Sequence, residues 1–247
     1  MENQKNKFAF VTGTSSGLGK AAAEELLTRG WLVYGAARRD SRITNPNYKH
    51  FKIDLSDIES AVSVLTIQLT ERLKNKNNQR FGLVNNAAGG GETSRVEEYD
   101  PVKLQKLFTV NVVMPAWLIG LFFKNISSQS KLRIINVSSG ASYKAYPGLA
   151  DYGSTKSALK LIGSTFALEN EDNKNLAVLS YEPGVVDTEM QKTVRSQKPE
   201  KFPSVNFFKS LAESNRLVKP EIVAMEIADF LEADDRTGFT EARFGAK

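Results

Sequence analysis

Short apolar runs alternate along the chain with stretches that repeat at helical spacing. Residues 8–12, 31–36, 51–53, 81–84, 133–137 and 176–181 are rich in Val, Ile, Leu, Phe and Ala and show little polar alternation. Strands buried on both faces read this way, as in a parallel sheet covered by helices. In residues 18–29, Leu18, Ala22 and Leu26 share one face and Gly30 stops the helix. Ser56 and Glu59 form a capping box that opens a helix through about Leu73, and residues 74–80 make a polar loop. Asp100 followed by Pro101 caps a long apolar helix. Further helices are expected over 152–168 and 220–231, and a last short strand over 238–242. Residues 189–209 are polar and basic with scattered aromatics, and read as a loop or lid. Strand–helix alternation with right-handed crossovers predicts one α/β domain over residues 1–247: a doubly wound parallel sheet of about seven strands with helices on both faces, and a substrate lid at about 189–215.

Composition narrows the chemistry. The 247 residues are 41% hydrophobic and 25% charged, an ordinary balance for a folded domain. There is no cysteine and a single histidine, His50, which removes disulfides, thiolate metal sites and a cysteine nucleophile. No metal is expected. The net charge of +5 is spread along the chain, so no nucleic-acid partner is expected. Residues 1–7 are polar and lack a signal-peptide core. The longest uncharged stretch, 107–123, holds Thr109, Asn111, Pro115 and Gly120 and reads as a buried helix rather than a membrane span. These features suggest a soluble cytoplasmic protein.

Three groups of residues carry candidate chemistry. Gly13, Ser15, Ser16, Gly17, Leu18 and Gly19 lie between the first strand and first helix, where glycines let the backbone approach a diphosphate at a helix N-terminus. The same residues match Gly-x-Ser-x-Gly, a serine-hydrolase elbow with Ser15 as nucleophile. That alternative needs His50 as base and several strands upstream, where the pattern gives one. Tyr152 and Lys156, four residues apart, share a helix face, and the ammonium is expected to lower the phenol pKa. Tyr48–Lys52 and Tyr99–Lys103 have the same spacing and read as surface pairs; Tyr152 differs because Ser138 and Ser139 stand just upstream at the end of a buried strand. Asn111, inside the apolar stretch, must find partners, either as a structural amide or as the anchor of a water relay.

With Asp54 after the third strand, Asn85-Asn86-Ala87 and Pro183-Gly184-x-x-x-Thr188 in order, the chain resembles the short-chain dehydrogenase/reductases from Phe8 to about Gly238. The resemblance implies a Rossmann-type fold with a nicotinamide dinucleotide at the strand ends and a catalytic tetrad of Asn111, Ser139, Tyr152 and Lys156. Tyr152 would protonate the carbonyl oxygen, Ser139 would hydrogen-bond it, Lys156 would hold the ribose, and Asn111 would anchor a proton-relay water. Further cofactor contacts are implied for Leu55, Ala87, Ala88, Pro183, Gly184, Val186, Thr188 and Met190. Ala88 departs from the glycine that many members carry.

After the second strand come Arg38 and Arg39, with no acid, which suits the 2′-phosphate of NADP(H), Arg38 carrying most of the preference. The 181–191 segment is similar to the sepiapterin reductase and benzil reductase branch, which points to ketones or vicinal dicarbonyls. Glu241 lies near the pterin-holding acid of sepiapterin reductases but one position off, and Glu182 finds no role. A non-catalytic NADP(H)-sensing protein is the remaining alternative. Apolar surface on 107–123 and 153–167 predicts a homodimer or homotetramer.

Overall fold

A computed structural model describes residues 6–74, 79–200, 202–214 and 216–245. Seven strands form one all-parallel sheet in the order β3-β2-β1-β4-β5-β6-β7. They are β1 (Lys7–Thr12), β2 (Leu32–Ala37), β3 (Tyr48–Lys52), β4 (Arg80–Asn85), β5 (Lys131–Val137), β6 (Leu176–Glu182) and β7 (Gly238–Arg243). The order reverses at β1, so the connections that leave β1 and β4 run to opposite faces and open a crevice at the carboxyl edge of the sheet.

The unbroken apolar runs have the expected cause. On β1, Phe8 and Phe10 point into one core while Ala9 and Val11 point into the other. The first core is closed by α2 (Ile58–Leu73) and α4 (Met114–Asn125), through Leu65, Leu69, Leu118 and Phe122. The second is closed by α1 (Gly17–Thr28) and α8 (Pro220–Glu232), through Leu26, Ile227 and Leu231. Helix α5 (Ala150–Glu169) lies along β5 and β6.

Four local expectations are corrected. The N-cap of α2 is Asp57, whose carboxylate accepts from Ser60 N, and the Ser56 hydroxyl donates to Asp54 instead. The third strand begins at Tyr48, so His50 lies within it. The long apolar helix is interrupted: α3 (Pro101–Phe108) passes through a π-helical turn (Thr109–Val113) into α4. The described part of 189–215 is not irregular but holds two helices, α6 (Glu189–Arg195) and α7 (Val205–Glu213). Their aromatic face was invisible to local pattern because its partners are distant: Phe202, Val205 and Phe208 pack on Tyr146 and Leu149 in a small third core. Part of the polar loop, 75–78, lies outside the described residues.

The stretch Pro101–Asn125 is long and apolar enough to cross a membrane. In this fold Met114, Leu118 and Phe122 are buried against the sheet, Phe122 beside the rings of Phe8 and Phe10.

Asp57→Ala removes the cap of α2 and is expected to cost about 1 kcal/mol, lowering Tm by about 2–4 °C in a calorimetric scan. Ser56→Ala, away from the cap, is expected to stay within about 0.5 kcal/mol. The reverse order would restore Ser56 as the cap.

Candidate active site

The crevice is knotted by Thr12 at the end of β1. Its hydroxyl accepts from Asn86 N (3.0 Å) and Ala87 N (2.9 Å), and its carbonyl accepts from Asn86 Nδ2 (2.8 Å). The segment after β4 is thereby fixed against the glycine loop. Gly13 sits at φ +82°, and a Cβ there would lie 2.6 Å from Asn86 Nδ2; a Cβ on Gly19 would lie 2.3 Å from the same atom. Only glycine fits such a close approach. Ser16 caps α1 without a side-chain bond to the helix, and no acid occupies the first turn. Free N–H donors at a helix start, beside backbone stripped of side chains, fit a dinucleotide diphosphate.

The two arginines after β2 diverge. Arg39 Nη2 donates to Ser16 Oγ at 2.9 Å, on the glycine loop itself. Arg38 acts on Asp54: burial pushes that carboxyl up, but the Ser56 N–H and hydroxyl and the Arg38 charge outweigh it and hold it below its ordinary value. A cavity of about 960 Å³ runs along the loop, lined by Ser15, Ser16, Gly17, Arg39, Thr188 and Lys192 among others. Gly17 approaches the Thr188 methyl, and Thr188 caps α6 by accepting from Gln191 N. Gly184 takes φ +70°, Val186 bridges to Val218, and Met190 reaches over Gly90.

His50 is committed elsewhere. Its Nε2 faces the Arg39 carbonyl at 3.1 Å and must donate, and its Nδ1 meets Tyr48 OH at 3.1 Å. Tyr48 OH in turn bonds Thr14 Oγ1 at 2.8 Å. The histidine buttresses the glycine loop from below and gives Ser15 no base. Tyr48 and Tyr99 are not paired with their lysines: Lys52 binds Asp40, Lys103 binds Glu92, and Tyr99 OH accepts from Asp151 N.

Tyr152, Lys156 and Ser139 converge where β5 ends. Ser139 caps a short 3-10 turn (Gly140–Ser142) by accepting from Ala141 N. Lys156 is buried, donates to the Val137 carbonyl at 2.7 Å, and stands 5.5 Å from the Tyr152 ring centre. Burial pulls the ammonium down to about 8. Burial also pushes the Tyr152 phenol up to about 12, against a hydrogen bond with Ser139 that lowers it. This corrects the sequence expectation. Desolvation outweighs the Ser139 hydrogen bond, so the phenol shifts up rather than down.

Asn111 lies in the π-turn, 1% exposed. Its Oδ1 accepts from Gly89 N (2.8 Å), and its Nδ2 donates to Gly89 O (3.1 Å) and to Thr155 Oγ1 (3.0 Å). The amide ties the loop after β4 to α5. Glu182, unexplained in the sequence, accepts from Tyr143 OH and faces Arg243; Glu241 pairs with Lys160. Sequence reasoning passed over Thr12, Thr155 and the Val137 carbonyl. Thr12 stood in the glycine-loop motif, but the other two act through contacts that local pattern does not show.

The short-chain dehydrogenase family model matches residues 7–199. The chain belongs to this family. It is therefore an oxidoreductase of a family that works with a nicotinamide cofactor. A benzil reductase ((S)-benzoin forming) of Bacillus subtilis (strain 168) is 31% identical over 234 residues, covering 93% of this chain and 95% of the relative. A benzil reductase of the same description from Bacillus cereus is 29% identical over 238 residues, with 93% and 95% covered. Among solved structures, 4-hydroxyisoleucine dehydrogenase complexed with NADH superposes with a TM-score of 0.79 at 25% identity, covering 96% of each chain.

The pH profile of turnover in the reducing direction should follow Lys156. Its ammonium is depressed to about 8, so the charged form is present below that pH and lost above it, and kcat/KM should fall on the basic side near 8. Lys156→Arg keeps the charge and should move the fall to higher pH. A wild-type profile flat through about pH 10 would exclude Lys156 as the titrating group.

Proposed function

We propose that the protein is an NADPH-dependent carbonyl reductase acting on ketones and vicinal diketones. The observation that carries this reading is the half-buried Tyr152 hydrogen-bonded to Ser139, with Lys156 pinned beside it to the end of β5. Similarity to the two benzil reductases supports a vicinal dicarbonyl as substrate. The cofactor would lie along Gly13–Gly19, the Asn86–Ala88 segment and Thr188, and when bound its nicotinamide supplies the hydride.

The residues do the rest. Ser139 presents its hydroxyl to the carbonyl oxygen and stabilises the charge that develops there. Tyr152 gives that oxygen its proton, leaving tyrosinate, which the Lys156 ammonium stabilises. Asn111 keeps α5 and the 89 loop in register while this happens. The sequence puts most of the preference on Arg38; the bond of Arg39 to Ser16 on the glycine loop shifts it in this proposal, so that Arg39 and Ser16 would hold the 2′-phosphate, with Arg38 adding positive field. Exposed Leu161 and Leu168 on α5 support self-association as a dimer or tetramer.

A panel of benzil, diacetyl and simple monoketones with NADPH, followed at 340 nm, tests the reading. Turnover is expected with the diketones, and Tyr152→Phe should lower kcat by about 10²-fold or more with NADPH binding retained. A Phe variant that keeps most of the activity would remove Tyr152 from the chemistry.

Cofactor choice has its own measurement. A charge-assisted hydrogen bond contributes about 1.5–3 kcal/mol. Arg39→Ala should therefore weaken NADPH by about 10–100-fold in a fluorescence titration and leave NADH almost unchanged. Arg38→Ala should show the same selectivity with a smaller size. Equal weakening of both cofactors by Arg39→Ala would refute the phosphate assignment.

A further inference from the structure

Asp151 stands directly before Tyr152 and is buried, 3% exposed. Among the described residues it forms no ion pair; its carboxylate is used on main chain. Oδ1 accepts from Tyr152 N at 2.7 Å, and Oδ2 accepts from Glu92 N at 2.9 Å. The N-cap position of α5, Leu149, offers no side-chain cap, so this carboxylate is the anion that serves the first turn of the catalytic helix. The approach is close enough to dictate the opposite residue. Gly91 sits at φ +78°, and a Cβ there would lie 2.5 Å from Asp151 Oδ2.

The segment held by this bond is strained. Thr93, β-branched, takes φ +51°, a conformation that persists only where surroundings impose it. Glu92 is fixed at its other end too, accepting from Asp100 N and pairing with Lys103 at 3.0 Å. One turn along α5, Thr155 accepts from Asn111, which grips Gly89. Helix α5 thus holds the 89–92 segment at two points. Asp151 and Thr155 are each the residue immediately before a member of the Tyr152–Lys156 pair.

We infer that Asp151 is a positioning residue: its two main-chain bonds lock the start of α5 to the 89–92 segment and so set where the Tyr152 phenol stands over the reacting carbonyl. This rests on the carbonyl-reductase reading. Misplacing a reacting group by about 1 Å can cost about 10²-fold in rate.

The test compares wild type with Asp151→Ala and Asp151→Asn, alone and on the Tyr152→Phe background. Asp151→Ala is expected to lower kcat by about 10–100-fold while KM and Kd for NADPH stay within about threefold. The solvent deuterium isotope effect on kcat should rise, because proton donation becomes slower. On the Phe background the same change should cost less than about threefold, since a positioning effect vanishes with the group positioned. In the cofactor-free protein, amide hydrogen exchange at Tyr152 and Glu92 should accelerate at least about tenfold, with β5 amides unchanged. Asp151→Asn keeps the volume and one acceptor oxygen and should fall between; it replaces the alanine variant should that fail to fold. An unchanged kcat, an equal loss on the Phe background, or unchanged exchange at both amides would overturn the inference. A wild type that reduces no carbonyl overturns the reductase reading instead, and the exchange data then decide the tie by themselves.

Discussion

The bond from Lys156 to the Val137 carbonyl fixes the rest of the site. A buried ammonium needs acceptors, and here one is a strand-end carbonyl whose own peptide belongs to the sheet. Ladder bonding ends at this point: Ser138 N still donates to Tyr181 O, and Ser139 then turns the chain into a 3-10 turn. One contact therefore sets the depth of α5 on the strand that delivers Ser139. Close packing extends it, since a Cβ on Gly163 would lie 2.8 Å from Asn136 Nδ2. With helix and strand locked at both places, Tyr152 arrives beside Ser139 without a choice of register.

Burial then decides the chemistry in a direction opposite to simple charge pairing. An ammonium one helical turn from a phenol favours tyrosinate when both are wet. Here both are desolvated, and desolvation disfavours each charged form: the phenol rises to about 12 and the ammonium falls to about 8. The two groups move apart in proton affinity, the phenol above the ammonium, which is the wrong order for a resting ion pair. In the proposed reaction such a site keeps its proton on tyrosine and serves as a donor, becoming an acceptor only when something else brings positive charge or water to the pair.

Much of this was legible in the chain. Residues 8–12 and 133–137 had to be buried on both faces, and the structure puts alternate residues of β1 into separate cores. The glycine loop was readable because steric exclusion at Gly13 and Gly19 leaves a residue signature. Other features were not. Ser56 and Asp57 are adjacent caps of equal propensity, and the tie was broken by Asp54, which captured the Ser56 hydroxyl. The π-turn presents the Asn111 amide to Gly89, 22 residues earlier, a contact that local pattern does not report. The sign of the Tyr152 shift depended on burial, which residue spacing does not report. Asp151 carries no motif at all: its meaning lies in Glu92 N, 59 residues away.

The division of cores also separates what is fixed from what is free to vary. Two large cores grip the sheet on its two faces, and helix α5 is bonded to a strand end between them. Helices α6 and α7 rest instead on the small cluster of Leu149, Phe202 and Val205, with Tyr146, Val194 and Phe208 around it. Segments with few buried apolar contacts open at lower free energy than the body of a domain. That cluster meets the chain between Ser139 and Tyr152, at the loop that leads into α5. Changes among Tyr146, Phe207 and Phe208 can therefore reshape the ground beside the proposed carbonyl position while Lys156, Val137 and the ties of Asp151 and Asn111 stay as they are. A fold arranged in this way holds the proposed proton-transfer geometry on rigid elements and leaves the surrounding walls on segments that can change without disturbing it.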